Sequence, residues 1–223
     1  MMAKNVLTHN LSEPLNGATT VKVEISAGDG NLTIDRLSGG EQVLASGELQ
    51  YFENQGVPAC TLNTSNGQAT LTLKGGGAGQ SWFRFPWAAC NGATEWQIHL
   101  NPTVSSEITA HSDGGNVKLD LAGMAVTRVS ADTGGGNMDV VLPDNAINLS
   151  VAAKTGAGNV VVLVPSGIAT RIHASTGLGK VIVDSRFSKI DGNTYQSPDF
   201  DSAANKAEIT VHSGAGNVSV NTK

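Results

Sequence analysis

Histidine and aspartate, the side chains that most readily do chemistry, recur beside glycine-rich turns in this chain. His111 and His212 each stand two residues before such a turn. An imidazole could act there as a general base or a metal ligand. The same position before the intervening turns holds Asp132, Lys154 and Ser175, however, and such strand positions face water. We therefore expect an outward column of polar residues, serving at most as a binding face, with the two histidines several repeat units apart.

Three aspartates raise the possibility of acid–base catalysis on a sugar. Asp120, Asp139 and Asp184 each follow a glycine turn on an expected strand, and carbohydrate-active enzymes use pairs of carboxylates. Asp120 and Asp139 do not occupy the same register, and outward aspartates are common on sheets exposed to water. No Ser/His/Asp arrangement is legible from the spacing. The sequence therefore predicts a protein without enzymatic activity, and a carbohydrate-active enzyme is the alternative.

The glycine turns themselves could bind phosphate or calcium. Thr176–Lys180 has the glycines and lysine of a phosphate loop, but a strand follows it, whereas a phosphate site needs a helix N-terminus. Asp113–Asp120 and Gly134–Asp139 resemble acidic calcium rolls, yet the later turns lack the acid, and calcium requires several oxygen ligands together. We expect no cofactor and no metal.

Cys60 and Cys90 are the only cysteines, and no histidine pair at zinc spacing accompanies them. In a reducing compartment we expect two unpaired thiols. A disulfide between them becomes the better interpretation only if the protein is exported.

Aromatic residues, which make up 4% of the chain, concentrate in one segment. Trp82, Phe83, Phe85, Trp87 and Trp96 lie close together after a glycine-rich connection. Such rings could form a platform on which sugars stack. We favour a hydrophobic cover for the open end of a repeat structure, and we retain Trp82 and Trp87 as candidate contact residues.

The elements that position these residues are internal repeats. The phrase Thr-Gly-Gly-Gly-Asn-Met before Asp139 returns in variant form five times. Measured at the residue that closes each turn, the repeats end at Asn116, Asn137, Asn159, Lys180 and Asn217. The first three intervals, about 21 residues each, fit one turn of a β-solenoid. We interpret the longer last interval as an insertion of one strand and loop before the final repeat.

Alternation of apolar and polar residues on both sides of each turn predicts β-strands, since one face of a strand repeats every two residues. The fold class is therefore all-β, a single-domain β-solenoid or β-helix-like stack of repeats with Gly-x-Gly-Asn turns. We divide the chain into an N-terminal tail, residues 1–17, and the solenoid, residues 18–223. The solenoid comprises an irregular aromatic-rich part (18–100), regular repeats (101–184), and a C-terminal cap with the last repeat (185–223).

Two stretches resemble a known family. The segment Glu95–Pro102, followed by Gly-x-Gly-Asn turns and strands ending in Leu-Pro, is similar to the bacterial putative-adhesin or "toast-rack" domains. The segment Phe187–Val218 is similar to that family's C-terminal ending. The resemblance covers roughly Ala18 to Val220, and its motifs are structural. It implies a β-helix-like domain without established catalytic residues, in proteins linked to the bacterial envelope or its stress responses.

Charge and hydropathy limit the partners. The net charge is −5, with both signs interspersed, whereas nucleic acid and anionic membranes bind clustered positive charge. No stretch is apolar enough to insert into a membrane, and no signal peptide is visible, so a cytoplasmic protein is expected unless a signal was removed. We predict a scaffold or adhesin-like module that binds protein or glycan, and a regulatory module of an envelope-stress response is a further alternative that the family resemblance permits. Val161 and Leu163, expected to point outward, are the preferred contact residues and would support a homo-oligomer.

Overall fold

The computed structural model describes residues 5–39, 42–76 and 94–223, and within these ranges the chain is all-β, as predicted. The described residues contain no α-helix, only a single 3-10 turn at Glu53–Gln55. In chain order the strands are β1 (Val6–Pro14), β2 (Thr20–Ser26), β3 (Asn31–Arg36), β4 (Val43–Phe52), β5 (Ala59–Ser65), β6 (Gln68–Lys74), β7 (Glu95–Leu100), β8 (Ser105–Ser112), β9 (Val117–Asp120), β10 (Val126–Gly135), β11 (Met138–Val141), β12 (Leu149–Ala157), β13 (Val160–Val164), β14 (Ala169–Leu178), β15 (Val181–Val183), β16 (Ser188–Asp191), β17 (Thr194–Gln196), β18 (Lys206–Ala215) and β19 (Val218–Thr222).

The strands form two large sheets that share one core. The nine-stranded sheet has the order β1-β4-β7-β3-β9-β11-β13-β19-β15, and the ten-stranded sheet has the order β16-β17-β14-β18-β12-β10-β8-β2-β6-β5. The central strands of both sheets pair in parallel, whereas antiparallel pairs such as β1 with β4 and β16 with β17 lie at the ends. Parallel strands need a crossover between them, and here the opposite sheet provides it.

The core lies between the two sheets and is filled by alternate residues of each strand. In β13, Val160, Val162 and Val164 are fully buried. On the facing strands small residues occupy the same layer, for example Ala131 and Ala153. This alternation explains why β-branched and small side chains suffice where large aromatic rings are scarce.

We call a unit one strand of the ten-stranded sheet together with the turn that follows it and the next strand, which lies in the nine-stranded sheet. In neighbouring units equivalent residues lie side by side: Ala131 of β10 pairs with Ala110 of β8 and Ala153 of β12. The backbone N–H of Asn137 donates to Oδ1 of Asn116, 21 residues earlier, at 2.9 Å.

These asparagines form a ladder along one edge of the molecule, because each side chain accepts from the backbone of the next unit in space. The donors and acceptors are Asn116 to Asn31, Asn137 to Asn116, Asn159 to Asn137, Asn217 to Asn159 and Lys180 to Asn217, at 2.9 to 3.0 Å. A second ladder is made by hydroxyl groups that donate to glycine carbonyls of the adjacent unit: Ser112 to Gly30, Thr133 to Gly115, Thr155 to Gly136, Ser213 to Gly158 and Thr176 to Gly216.

Glycine is required where these units approach one another. A Cβ built on Gly136 would overlap the carbonyl oxygen of Gly115, and one on Gly158 would overlap that of Gly136. Gly158 also has φ +147°, a conformation that side chains disfavour. The neighbouring Gly135, in contrast, has no atom within 4 Å of its Cβ position.

The order of units in space departs from their order along the chain at the C-terminal end. The last unit, β18–β19, lies between β12–β13 and β14–β15. Ile209 of β18 consequently pairs with Val151 on one side and with Ile172 on the other. The long interval before the final repeat therefore holds a hairpin, β16–β17, which pairs with β14 at the end of the stack and lets the chain return inward.

Segments near both ends of the chain bury apolar side chains, one of them as a strand at the edge of a sheet. Residues 6–14 of the segment expected as a tail form β1, an edge strand whose Leu11 is buried against the core. Near the C-terminus, Phe187 and Phe200 are buried and Tyr195 packs partly against the core. Burial of these apolar side chains stabilises the segments near the two chain ends, whose structure the repeat pattern alone does not define.

Candidate functional site

The outer face of the ten-stranded sheet is polar over its central strands. The column that contains His111 continues through Asp132, Lys154, His212 and Ser175. In a second column of outward-facing side chains, parallel to the first, Ala152 lies between two residues that carry hydroxyl groups. Over these central strands the face offers hydrogen-bonding groups and charges.

The outer face of the nine-stranded sheet carries a cluster of apolar side chains. Val161 and Leu163 are half-buried on β13, and Leu163 pairs with Val141 of β11, which is also half-buried. We call Val141, Val161 and Leu163 the apolar patch. The sequence analysis selected two of its members and missed Val141, although the run Val140-Val141-Leu142 was a signal, since one residue of three consecutive apolar residues on a strand must face outward.

Polar residues border the apolar patch on both sides. Val161 pairs with Asp139 of β11 on one side and with Ser219 of β19 on the other. Asn221 lies beside Leu163. An apolar centre with a polar border is the usual anatomy of a protein contact surface.

His111 is held between two carboxylates at the turn of β8. Its Nδ1 lies 2.5 Å from Oδ1 of Asp132, and its Nε2 lies 3.0 Å from Oδ1 of Asp113. Partial burial on its own would lower the pKa of His111, but the hydrogen bonds and charges of Asp132 and Asp113 outweigh it, so that the pKa is raised. His212, three strands away in the sheet or about 14 Å, hydrogen-bonds to Ser175 in this column, at 3.0 Å.

This arrangement predicts a pH-dependent contribution to stability. A raised folded-state pKa stabilises the fold fully below the unfolded value of 6.5, and the contribution is lost as pH rises through the folded-state pKa. His111→Gln should therefore reduce the free energy of unfolding more at about pH 5.5 than at about pH 9, as measured by urea denaturation. His173→Gln is the control, because His173 faces Thr194 and no carboxylate. An equal loss at both pH values in His111→Gln would contradict the prediction.

The three aspartates considered for catalysis do not converge. Oδ1 of Asp120 accepts the backbone N–H of Ala122 at 3.3 Å, and Oδ1 of Asp184 accepts that of Arg186 at 2.9 Å. Asp139 is exposed on a different column from Asp120, because it pairs with Lys118. Two of the three thus stabilise turns, a structural role.

A shallow cavity of about 480 Å³ lies at the corner beside Asp120 and is lined by Asp35, Arg36 and Asp144. His99 hydrogen-bonds to Asp35, Asp144 accepts from the backbone N–H of Gly123 at 3.1 Å, and Arg36 supplies a positive charge. Within residues 5–39, 42–76 and 94–223 no group of three or more histidine, cysteine or acidic residues could hold a metal ion.

Trp96 belongs to the core, and a second cavity lies beside it. The Trp96 ring is 1% exposed, and its Nε1 donates to the carbonyl of Gln50 at 2.9 Å. The cavity, about 330 Å³, is bordered by Gly76 and Thr94, which flank the part of the chain that is not described. Trp82 and Trp87 fall outside the described residues, so their role as contact residues stays a prediction.

Cys60 is a poorly reactive thiol. Its Sγ donates to Oε1 of Glu13 at 3.0 Å. Burial, followed by this hydrogen bond and the charge of Glu13, raises the pKa of Cys60 to about 12. Since the thiolate is the reactive form, this raised pKa disfavours a nucleophilic role for Cys60. Cys90 lies outside the described residues.

No helix among the residues that the structure describes is long and apolar enough to cross a membrane.

Comparison with known proteins gives one matching family and several matching solved structures. The family described as the N-terminal domain of toast_rack, DUF2154, matches residues 2–163. A "putative cell adhesion protein" from Clostridium sporogenes ATCC 15579 is 24% identical with a TM-score of 0.84, over 98% of this chain and 100% of that chain. A "putative adhesin" from Bacteroides fragilis NCTC 9343 is 11% identical with a TM-score of 0.33, over 98% of both chains. No curated protein matches. At such identities the Clostridium structure shows a shared fold.

Proposed function

The chain belongs to the family of toast_rack N-terminal domains, and from this premise we propose that it is a non-catalytic interaction module whose main contact surface is the apolar patch. Its scaffold is a single-domain β-solenoid in which each turn of chain is one repeating unit. The parallel pairing of residues 21 or 22 positions apart supports this interpretation, and so do the asparagine and hydroxyl ladders, because both join each unit only to its neighbours.

The observation that carries the proposal is the contrast between the two outer faces. The outer face of the nine-stranded sheet carries Val141, Val161 and Leu163 together, each half-buried and so partly accessible, whereas the central strands of the ten-stranded sheet carry mainly polar residues on their outer face. Scattered apolar residues need no explanation, but a contiguous group with a polar border is typical of an interaction surface.

A protein partner, including a second copy of the chain, fits this surface better than a glycan does. Sugar rings stack on exposed aromatic rings, and Trp96 is buried. The apolar patch consists of aliphatic side chains, which suit the apolar centre of a protein interface. The names of the Clostridium and Bacteroides proteins agree with an adhesive role, and a place in an envelope-stress response is compatible with the same surface.

A carbohydrate-active enzyme is the alternative from another class. It would need two carboxylates facing one another across a groove. Asp120 and Asp184 instead accept hydrogen bonds from their own turns, which favours the interaction module. Release of reducing sugar from bacterial or host polysaccharides, lost in Asp139→Asn, would favour the enzyme.

We predict that Val161→Lys with Leu163→Lys weakens self-association of the chain. Two ammonium groups placed in an apolar contact must be desolvated for the contact to form. The dissociation constant measured by sedimentation velocity should rise by at least about tenfold. Because both side chains lie on an outer face, the fold should tolerate the change, with a melting temperature close to that of the wild type.

The matched control is Ser150→Lys with Thr210→Lys, which adds the same charge to the polar face of the ten-stranded sheet. Its sedimentation profile should match that of the wild type. If the Val161 and Leu163 variant sediments like the wild type at every concentration, the apolar patch is not a self-association surface.

A further inference from the structure

The unit β14–β15 lies at the spatial end of the stack and is covered on one side only along most of its length. β15 pairs with β19 and is the final strand of the nine-stranded sheet. On the other sheet, β17 pairs with β14 only at Arg171, Ile172 and His173. Among the described residues, therefore, no strand pairs with the outer side of the stretch from Thr176 to Asp184, which we call the open edge.

Half of the backbone N–H and C=O groups of β15 bond to β19, and the other half point away from the stack. Val218 donates to the carbonyl of Lys180, and Asp184 donates to the carbonyl of Val220. Successive residues of a parallel strand bond alternately to one side and the other, so Ile182 also faces β19. The N–H and C=O groups of Val181 and Val183 then face outward, ready for another strand.

The side chains of the open edge are also uncovered. Val160 and Val162, at the positions equivalent to Val181 and Val183 in an inner unit, are fully buried, whereas Val181 and Val183 are only half-buried. Leu178 and Ile182 are 76% and 53% exposed. Core residues thus reach the surface here because no further unit covers them.

The hairpin β16–β17 of the ten-stranded sheet lies opposite the open edge. It extends the ten-stranded sheet two strands beyond β14, while the nine-stranded sheet stops at β15. Tyr195 pairs with Ile172, which is buried, so its ring lies on the inner side of the hairpin. A strand added to β15 would have Val181 and Val183 beside it and Tyr195 beneath it.

We propose that the open edge binds an extended segment of a partner protein, with the pattern Ser/Thr-Gly-x-Gly-Asn-Val-x-Val, which adds to the nine-stranded sheet as a parallel strand. This interface continues the pairings inside the chain, where such a segment covers each inner unit. The Ser213–Val220 segment of β18–β19 does so on the inner side of this same unit. The surface is separate from the apolar patch and would bind a different part of a partner.

The residue types required in the partner segment can be inferred from the contacts between neighbouring inner units. A hydroxyl of each inner unit donates to a glycine carbonyl of its neighbour, as Thr176 does to Gly216 at 2.8 Å. Gly179 presents the equivalent carbonyl to the open edge, so the partner should offer serine or threonine there. Glycine must follow, since a Cβ on Gly179 would overlap the carbonyl oxygen of Gly216 and the next unit would approach Gly179 in the same way.

Lys180 is the one position where the open edge lacks a group that inner units have. The inner turns carry asparagine there, and each asparagine accepts from the next unit's backbone. The backbone N–H of Lys180 donates to Oδ1 of Asn217, but the Lys180 side chain carries no acceptor for the backbone of a further unit. The edge therefore binds a strand with one hydrogen bond fewer than an inner unit does, which suits a reversible contact.

The test uses the full chain and the synthetic decapeptide Ser-Gly-Ala-Gly-Asn-Val-Ser-Val-Asn-Thr, the sequence of residues 213–222, with both ends blocked. Binding is measured by amide chemical shifts in a ¹⁵N-labelled protein. We expect saturable binding with the largest shifts at Val181 and Val183. A peptide of the same composition with its two valines adjacent is the control and should not bind, because only one of them can face the core.

Two variants separate this edge from other surfaces. Val183→Pro removes an outward N–H that no internal bond uses, and it should abolish binding while the remaining amide spectrum is preserved. Lys180→Asn supplies the missing acceptor and should tighten binding about fivefold. Val161→Lys with Leu163→Lys should leave peptide binding unchanged, whatever it does to self-association. Absence of saturable binding, or binding that neither Val183→Pro nor Lys180→Asn alters, overturns the proposal.

Discussion

Gly136→Ala is expected to lower the free energy of unfolding by roughly 3 kcal/mol or more, because the added methyl group overpacks a contact between backbones. The methyl carbon would overlap the carbonyl oxygen of Gly115. That oxygen accepts from the Thr133 hydroxyl at 2.8 Å and cannot move aside without breaking a buried hydrogen bond. Gly136 is not at positive φ, so the loss would report the close approach of the units and not backbone strain.

Gly135→Ala is the matched control. Its Cβ position has no neighbour within 4 Å, and its φ is not positive. The change should alter the free energy of unfolding by less than about 1 kcal/mol, measured with Gly136→Ala by urea denaturation. Equal effects of the two substitutions would mean that the units do not approach each other as closely as the structure indicates.

Removal of residues 206–223 is expected to destabilise neighbouring units as well as removing the two deleted strands. Because β18–β19 lies between two other units, its loss separates β14–β15 and the β16–β17 hairpin from the rest of the stack. Val162 and Val164, now fully buried, would face water. Hydrogen exchange should show amides of β14 exchanging at least about a hundredfold faster than in the complete chain, and proteolysis should cut between residues 165 and 205.

Removal of residues 1–14 provides the contrast. Among the strands that the structure describes, β1 pairs with β4 alone, so its loss uncovers one edge and the side chains that pack against Leu11. Faster exchange should be confined to β4 and its surroundings. If deletion of residues 206–223 leaves β14 as protected as before, β14–β15 is held by other contacts, and the spatial order of the units matters less than we infer.

The sequence predicted the all-β class because alternation and glycine turns are local signals. The pairing of residues 21 positions apart was also within reach, since Ala110, Ala131 and Ala153 recur at one place in the pattern. Burial on the inner face then followed from the period of the strand.

The spatial order of the last two units was not predictable from alternation. Ile172-x-Ala174 of β14 and Ile209-x-Val211 of β18 present equivalent inner faces, so either could pack beside β12. One signal was available, however. Lys180 replaces the asparagine that inner turns use as an acceptor, and a unit that offers no acceptor is suited to the end of a stack.

The candidate site was predictable in part. Val161 and Leu163 could be assigned to an outer face because they alternate with buried valines. Val141 was missed, since its partner on the next strand depends on register. The grouping of Asp113 and Asp132 around His111 was missed as well, because it requires knowing that β8 and β10 are neighbours.

The position of β19 also determines how the molecule would bear force. A load applied at Lys223 along the strand must shear two parallel hydrogen-bonded ladders at once, those with β13 and β15. The same load applied at the N-terminal side of β1 acts on one ladder, with β4. Pulled in an optical trap, the domain should yield first from its N-terminal edge, and a tether at the C-terminal strand would be the mechanically stronger attachment.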